Sequence, residues 1–130
     1  MSAAGRGFAP GRHVIDAYGA GGFRFAGMSH TGSILATPGG VYAVEARALA
    51  ELRLDSFAPL LAELAEKPGS TELLLVGVGE KIARLPVPLT TKLREAGLRI
   101  DAMATAPAAR VYNVCVSENR RVAALLLAVP

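Results

Sequence analysis

The residues with the clearest chemical potential follow a short apolar run in the second half of the chain. Gly77-Val78-Gly79-Glu80-Lys81 overlaps the end of that run. Glycines let backbone N–H groups approach an anion, and Lys81 or Arg84 would supply the counter-charge. The motif lacks the Gly-Lys-Ser/Thr of a P-loop, and position 82, where a dinucleotide fingerprint has its third glycine, is Ile. The pattern therefore predicts a turn, with an anion site as the alternative.

A second polar group lies in the otherwise apolar C-terminal stretch. Together with the two glycines, its side chains would line a cleft at the carboxyl end of the first parallel strand, where open α/β sheets bind ligands. In that interpretation Arg110 clamps a carboxylate or phosphate. In the structural interpretation Thr105 caps a helix, Asn113 satisfies nearby backbone and Arg110 pairs with an acid. Both interpretations stay open, and the candidate ligand-binding residues are Gly77, Gly79, Thr105, Arg110, Tyr112 and Asn113.

Nucleophiles and metal ligands are sparse. His13 and His30 are the only histidines, and neither lies at ligand spacing to the other or to Cys115. Cys115 has the pattern of a buried helix residue, and buried thiols are usually inert. No serine lies at the centre of a nucleophile-elbow motif. We therefore expect no metal, no cofactor and no enzymatic activity.

The composition describes one folded domain. The chain has 130 residues, of which 52% are apolar and 19% charged. The net charge is +3, but the 11 arginines are scattered and aromatics are 5%, which argues against a nucleic-acid surface. No apolar run approaches the ~20 residues of a membrane span. Residues 1–12 lack the apolar core of a signal peptide and are predicted to be a disordered lead-in to a single domain at 13–130. A lone cysteine favours a reducing compartment, so a cytoplasmic location is expected.

The elements that must position these residues change in character along the chain. Turn residues punctuate the first part, which predicts a β-meander with strands at 13–18, 23–27, 33–37 and 41–45. Phe57, Leu60, Leu61 and Leu64 then form a helical stripe, and Asp55 or Ser56 can cap its first turn.

The second part alternates strands and helices. Residues 73–78 and 122–129 have the continuous apolar pattern of buried strands, and 98–103 forms a third strand. Leu89, Leu93 and Ala96 mark a helix that ends at Gly97. Residues 106–116 fit a strand by side-chain shape and a helix by their Thr-Ala-Pro start, and we choose the helix. The predicted fold is α/β, an N-terminal β-meander followed by β-α-β-α-β with a three-stranded parallel core, and the meander must extend or cover that sheet.

Spaced motifs across most of the chain resemble a known family. They are Gly22-Phe23-Arg24-Phe25-x-Gly27, Gly32-Ser33, Pro38, Leu74-Leu75-Val76-Gly77-x-Gly79, Thr105-x-x-Ala108, Tyr112-Asn113-Val114, Glu118-x-Arg120 and Val122-Ala123-Ala124. The chain resembles the Mth938-like domain family, a small α/β family of unknown molecular function. It includes mitochondrial complex I assembly factor 3 and the adipogenesis-associated domain protein.

The resemblance implies a three-layer fold with a mixed sheet, and a helix at 106–116. It carries no established activity or cofactor, and it implies an accessory role with protein partners in the biogenesis of a respiratory-type complex. We expect a monomer or weak homodimer. Val78 stands where the family often has Thr, and Ala104 where it often has an acid. These losses of a hydroxyl and a carboxylate weaken a catalytic interpretation.

Overall fold

The computed structural model describes residues 8–130, and the portion of the predicted lead-in at 1–7 lies outside them. Two 3-10 turns, Leu49–Glu51 and Leu54–Phe57, precede the first α-helix. The strands are β1 Ala9–Pro10, β2 Ala17–Gly19, β3 Gly22–Phe25, β4 Met28–Thr31, β5 Ser33–Thr37, β6 Gly40–Val44, β7 Leu73–Gly77, β8 Arg99–Met103 and β9 Val122–Leu126. The helices are α1 Ala58–Glu66, α2 Val87–Glu95 and α3 Thr105–Ser117.

Six strands form a mixed central sheet in the order β1-β6-β5-β9-β7-β8. β7 pairs in parallel with both β8 and β9, which is the predicted parallel core. β9 also pairs antiparallel with β5, and this contact joins the β5–β6 hairpin to that core. The predicted α/β class with a central mixed sheet is confirmed.

Helices and a second sheet cover the two faces of the central sheet. Alternate side chains of each strand point to opposite faces, so Leu35, Leu74 and Leu125 pack with α1 and α2 in one apolar cluster. Ile34 and Leu75, on the other face, pack with α3 and with β3 of the small sheet. The result is three layers, with one apolar core on each face of the central sheet.

Local sequence explains where the helices begin and end. Pro59 lies in the first turn of α1, where the missing N–H is not needed. Gly97 follows α2 with a φ of +95°, a left-handed conformation that ends the helix. Residues 105–117 are helical, as predicted for 106–116. The cap predicted for α1 at Asp55 or Ser56 does not form. Ser56 Oγ instead accepts from the Arg53 N–H at 3.1 Å, before the helix begins.

The N-terminal part differs from the predicted four-strand meander. β2, β3 and β4 form a separate three-stranded sheet, whereas β5 and β6 join the central one. Residues 13–16 are not a strand, because the Asn113 side chain on α3 takes the backbone hydrogen bonds of Ile15. The additional strand β4 is polar and largely exposed, so it lacks the apolar alternation that predicts a strand.

The domain starts before the predicted boundary at residue 13. β1 pairs with β6, with Ala9 opposite Val41 and Pro10 opposite Gly40. Ala9 is buried against the α3 side of the sheet. This burial and pairing extend the folded unit to residue 9, inside the segment predicted as a lead-in.

Candidate functional site

Three of the predicted site residues meet where β7 leads toward α2. The Thr105 hydroxyl accepts from the Gly79 N–H at 3.0 Å and donates to the Leu127 carbonyl at 2.8 Å. The Gly79 carbonyl in turn accepts from the Thr105 N–H at 2.8 Å. A Cβ on Gly77 would lie 2.8 Å from Thr105 Cα, so only glycine allows this approach. Thr105 therefore fastens α3 to the ends of β7 and β9.

Thr105 is not the predicted helix cap. It is the first residue of α3, preceded by Ala104 in the cap position, and its side chain makes no cap hydrogen bond. The side chain is fully buried, and its hydroxyl already has a donor and an acceptor. An anion at this point would have to bind backbone N–H groups other than that of Gly79.

The other three predicted residues lie farther along α3, on the side that faces residues 13–18. Tyr112 Oη donates to the His13 carbonyl at 3.1 Å. Asn113 donates to the Ile15 carbonyl and accepts from the Ile15 N–H, both at 2.8 Å. Arg110 donates to the Tyr18 hydroxyl at 2.9 Å on the surface. Five to eight residues of helix separate them from Thr105, about 8–12 Å along the axis, so the six residues form two groups rather than one cleft.

The electrostatics of Tyr112 reflect its burial. The ring is fully buried, and burial raises the pKa of Tyr112 from 10.0 to about 12, against a weaker opposing effect of Arg12. A phenol with this pKa stays neutral at physiological pH and serves as a hydrogen-bond donor. Its partner is the backbone of residue 13, so its role in this arrangement is to hold the N-terminal segment on α3.

A polar cluster that the sequence analysis did not identify lies at the β5–β6 turn. Thr37 Oγ1 donates to Glu63 Oε2 at 2.6 Å and accepts from the N–H groups of Gly39 and Gly40 at 3.1 Å. Burial raises the pKa of Tyr42, and the charge of Glu63 adds to that effect. The Thr-Pro-Gly-Gly sequence indicated this turn, but nothing in the sequence indicated that Glu63 on α1 would be its partner. The cluster contains one carboxylate, so it ties α1 to the hairpin and offers no acid–base pair.

Two surfaces with exposed apolar side chains also escaped the sequence analysis. The first, the α3 surface, consists of Tyr18, Arg110, Val111 and Val114; its apolar members are 38–54% exposed. The second is a groove of about 520 Å³ beside β8, where Ile82 and Val87 are each 73% exposed. The prolines at 86 and 88 flank Val87 and were the available sequence signal for an irregular, exposed connection.

The described residues, 8–130, form neither a metal-ligand cluster nor a membrane-spanning helix. Within them no group of three or more His, Cys, Asp or Glu side chains is placed to hold a metal ion. No helix among the described elements has the length and apolar character to cross a bilayer. Cys115 is buried in α3, as its position in the apolar pattern predicted.

The fold and these contacts define a three-layer α/β domain in which the polar side chains of α3 mainly organise the chain itself. A family model described as "Protein of unknown function (DUF498/DUF598)" matches residues 15–127. The chain belongs to this family, which confirms the resemblance drawn from the motifs.

Relatives support the same assignment. An uncharacterised protein of Rhodobacter capsulatus is 43% identical over 124 residues, covering 95% of this chain and 90% of that protein. NADH dehydrogenase [ubiquinone] 1 alpha subcomplex assembly factor 3 of Xenopus tropicalis is 36% identical over 56 residues, covering 43% of this chain and 31% of that protein.

Solved structures share the fold. A crystal structure of a Bartonella henselae protein, described as an outer membrane protein, has a TM-score of 0.84 and 44% identity, covering 93% of this chain and 98% of that one. A Bordetella pertussis solution structure, described as a Mth938-like domain, has a TM-score of 0.76 and 27% identity, covering 88% and 85%.

Proposed function

We propose that this chain is a non-enzymatic interaction domain that acts as an accessory or assembly factor for a larger complex of the respiratory type. The observation that carries the proposal is the 56-residue match, at 36% identity, to a relative named as an assembly factor of NADH dehydrogenase. Family membership over residues 15–127 adds to it, because the motif resemblance places that assembly factor in the same family. The partner is accordingly a protein subunit.

The α3 surface is the part of the molecule that best suits such a partner. Tyr and Arg are enriched in protein interfaces, where an aromatic or guanidinium anchor is surrounded by apolar contacts. Tyr18 and Arg110 are joined by a hydrogen bond, which holds the two anchors in one orientation before binding. Val111 and Val114 are one helical turn apart and exposed beside them. The preorganised pair and the apolar neighbours together support a protein-binding surface.

The absence of catalysis in this proposal is supported by how the polar side chains are used. Thr105 and Asn113 each hold two backbone groups, and Tyr112 holds the His13 carbonyl. A catalytic acid, base or nucleophile must instead present a polar atom to substrate at hydrogen-bond distance. These side chains present their polar atoms to the chain.

Crosslinked affinity purification from the native host tests the proposal. The variant is Arg110→Ala with Val114→Glu, because both side chains are exposed and their replacement leaves the core intact. Lys67→Glu, an exposed change in the α1–β7 connection, is the matched control. Recovery of respiratory-complex subunits with wild type and control but not with the variant is the expected result. Equal recovery with all three chains, or recovery of no such subunits, would contradict the proposal.

A small-molecule or anion-binding domain, with an enzyme among the options, is the alternative function. The feature that favours it is Gly79, in the connection that carries Lys81 and Arg84: it has a φ of +114°, and no atom lies within 4 Å of where a Cβ would be. A ligand that binds the native state raises the unfolding temperature. Stabilisation by inorganic phosphate that is lost in Lys81→Ala would favour this alternative, and no shift would favour the interaction domain.

We also propose that the protein is cytoplasmic. Cys115 is an unpaired thiol, which suits a reducing compartment. Cell fractionation against cytoplasmic and outer-membrane markers tests this, and enrichment with the outer membrane would contradict it.

A further inference from the structure

The strand β8 is an unpaired edge of the central sheet. It is the last strand in the sheet order and pairs only with β7 among the described elements. The Arg99 N–H donates to the Glu72 carbonyl, and the Met103 carbonyl accepts from the Val78 N–H. Because backbone groups alternate sides along a strand, Ile100 and Ala102 direct their N–H and C=O groups away from β7. The open edge therefore offers these groups to another strand.

The side chains of β8 divide cleanly between the two faces of the sheet. Arg99 and Asp101 are exposed on the side of α3, and neither forms an ion pair within residues 8–130. Ile100 and Ala102 are half-buried on the side of α2, where they line the groove beside β8 with Ile82 and Val87. A strand added at this edge would place one row of side chains at that groove and the other beside the two charges.

We propose that the edge binds a second copy of this chain, by antiparallel pairing of β8 with β8 about a two-fold axis at Ile100. An axis here makes Ile100 a hydrogen-bonded pair with itself, because its backbone groups point outward. It also sets Arg99 directly opposite Asp101 of the second copy, twice. An axis at Asp101 would oppose two carboxylates, and one at Ala102 would leave both charges without a partner. Charge complementarity thus selects the occupant and the register.

The groove beside β8 accepts the apolar side of this pairing. Ile100 of the second copy lies on the same face as the groove, next to the exposed Ile82 and Val87. Arg84 and Arg94 also line the groove, and their like charges in two copies oppose tighter closure. Pairing of five-residue strands with a limited apolar contact is typical of small, weak interfaces. The dimer joins two six-stranded sheets into one and does not depend on the proposed accessory role.

Sedimentation of the full chain tests the pairing, over concentrations from about 10 µM to about 1 mM, the range in which weak complexes dissociate. We expect monomer at the low end and dimer at the high end. Arg99→Asp and Asp101→Arg each create like-charge pairs and should weaken association at least about tenfold. Mixing the two variants restores opposite charges at both contacts and should recover association to within about threefold of wild type. Lys67→Glu is the control and should match wild type.

Each remaining outcome decides against the proposal. If the wild-type chain stays monomeric at the highest concentration, β8 does not pair with a second copy, and the edge would be free for a strand of another protein. Association that is indifferent to the single charge reversals would exclude this surface. Association lost in the single variants but not recovered in the mixture would exclude this register. Circular dichroism checks that each exposed replacement leaves the fold intact, and amide exchange at Ile100 and Ala102, slowed with concentration, reports the new hydrogen bonds directly.

Discussion

Replacing Thr105 by valine separates a structural role of its hydroxyl from a ligand-binding one. Valine keeps the shape of the side chain but removes the oxygen that joins Gly79 to Leu127. The Gly79 N–H and the Leu127 carbonyl then lose their partner at a site where Thr105 is fully buried. Leaving a buried polar group unpaired costs ~1–3 kcal/mol of unfolding free energy. The cost for the half-buried Gly79 N–H is at the low end of this range, because water can reach it.

The expected loss of unfolding free energy is therefore about 2–4 kcal/mol for Thr105→Val. The matched control is Thr105→Ser, which keeps the hydroxyl and removes one methyl group. Its expected cost is ~1 kcal/mol.

Urea denaturation followed by circular dichroism measures both variants. With a slope of ~2 kcal/mol/M, typical of small domains, the midpoint should fall by about 1–2 M for the valine variant and by ~0.5 M for the serine variant. A valine variant as stable as the serine variant would refute the reasoning. The hydroxyl would then be available for a ligand, as the cleft interpretation requires.

Three further changes test the contacts that hold the small sheet and the N-terminal segment. Asn113→Ala should cost about 2 kcal/mol and expose the Ile15 amide to hydrogen exchange, whereas Asn113→Asp keeps the acceptor for that N–H and should retain part of its protection; full protection in both would contradict this role. Because its pKa is raised to about 12, Tyr112 favours the folded state below pH 10, and this contribution of roughly 2–3 kcal/mol is lost between pH 10 and 12. Denaturation curves of Tyr112→Phe should lack that pH dependence. The same loss of stability between pH 10 and 12 in the variant as in wild type would contradict this role of Tyr112. Gly22→Ala would push a Cβ into the His30 carbonyl oxygen, so thermal unfolding should show a loss of at least ~2 kcal/mol, and an unaltered midpoint would exclude the close approach.

The parts of the fold that could be predicted are those whose burial follows a period. Residues 73–77 and 122–126 are buried on both faces, so their apolar runs indicate strands directly. Leu60 and Leu64 face the core one turn apart, which leaves the helical stripe of α1 in the sequence. β4 could not be predicted in this way, because its exposed side chains contribute no apolar alternation.

The candidate site was only partly predictable for a different reason. The sequence shows that Thr105, Tyr112 and Asn113 are polar residues in an apolar stretch, and such groups need partners when buried. It does not show which partners, since Ile15 lies 98 residues from Asn113 and Leu127 lies 22 residues from Thr105. Tertiary folding selects those partners, and it directs these side chains to the backbone rather than to a common cleft.

The position of β9 between β5 and β7 has a consequence for how the chain reaches its native state. Ile34 pairs with Leu126 across most of the sequence, so the hairpin of the first half cannot join the parallel core until a very long loop has closed. Contacts of such separation slow folding. Until β9 docks, β5 and β7 each expose an apolar edge that is covered in the finished sheet. The step most open to misassembly is therefore the insertion of this one strand, and substitutions in Val122–Leu126 should lower the yield of folded protein more than equal losses of stability elsewhere.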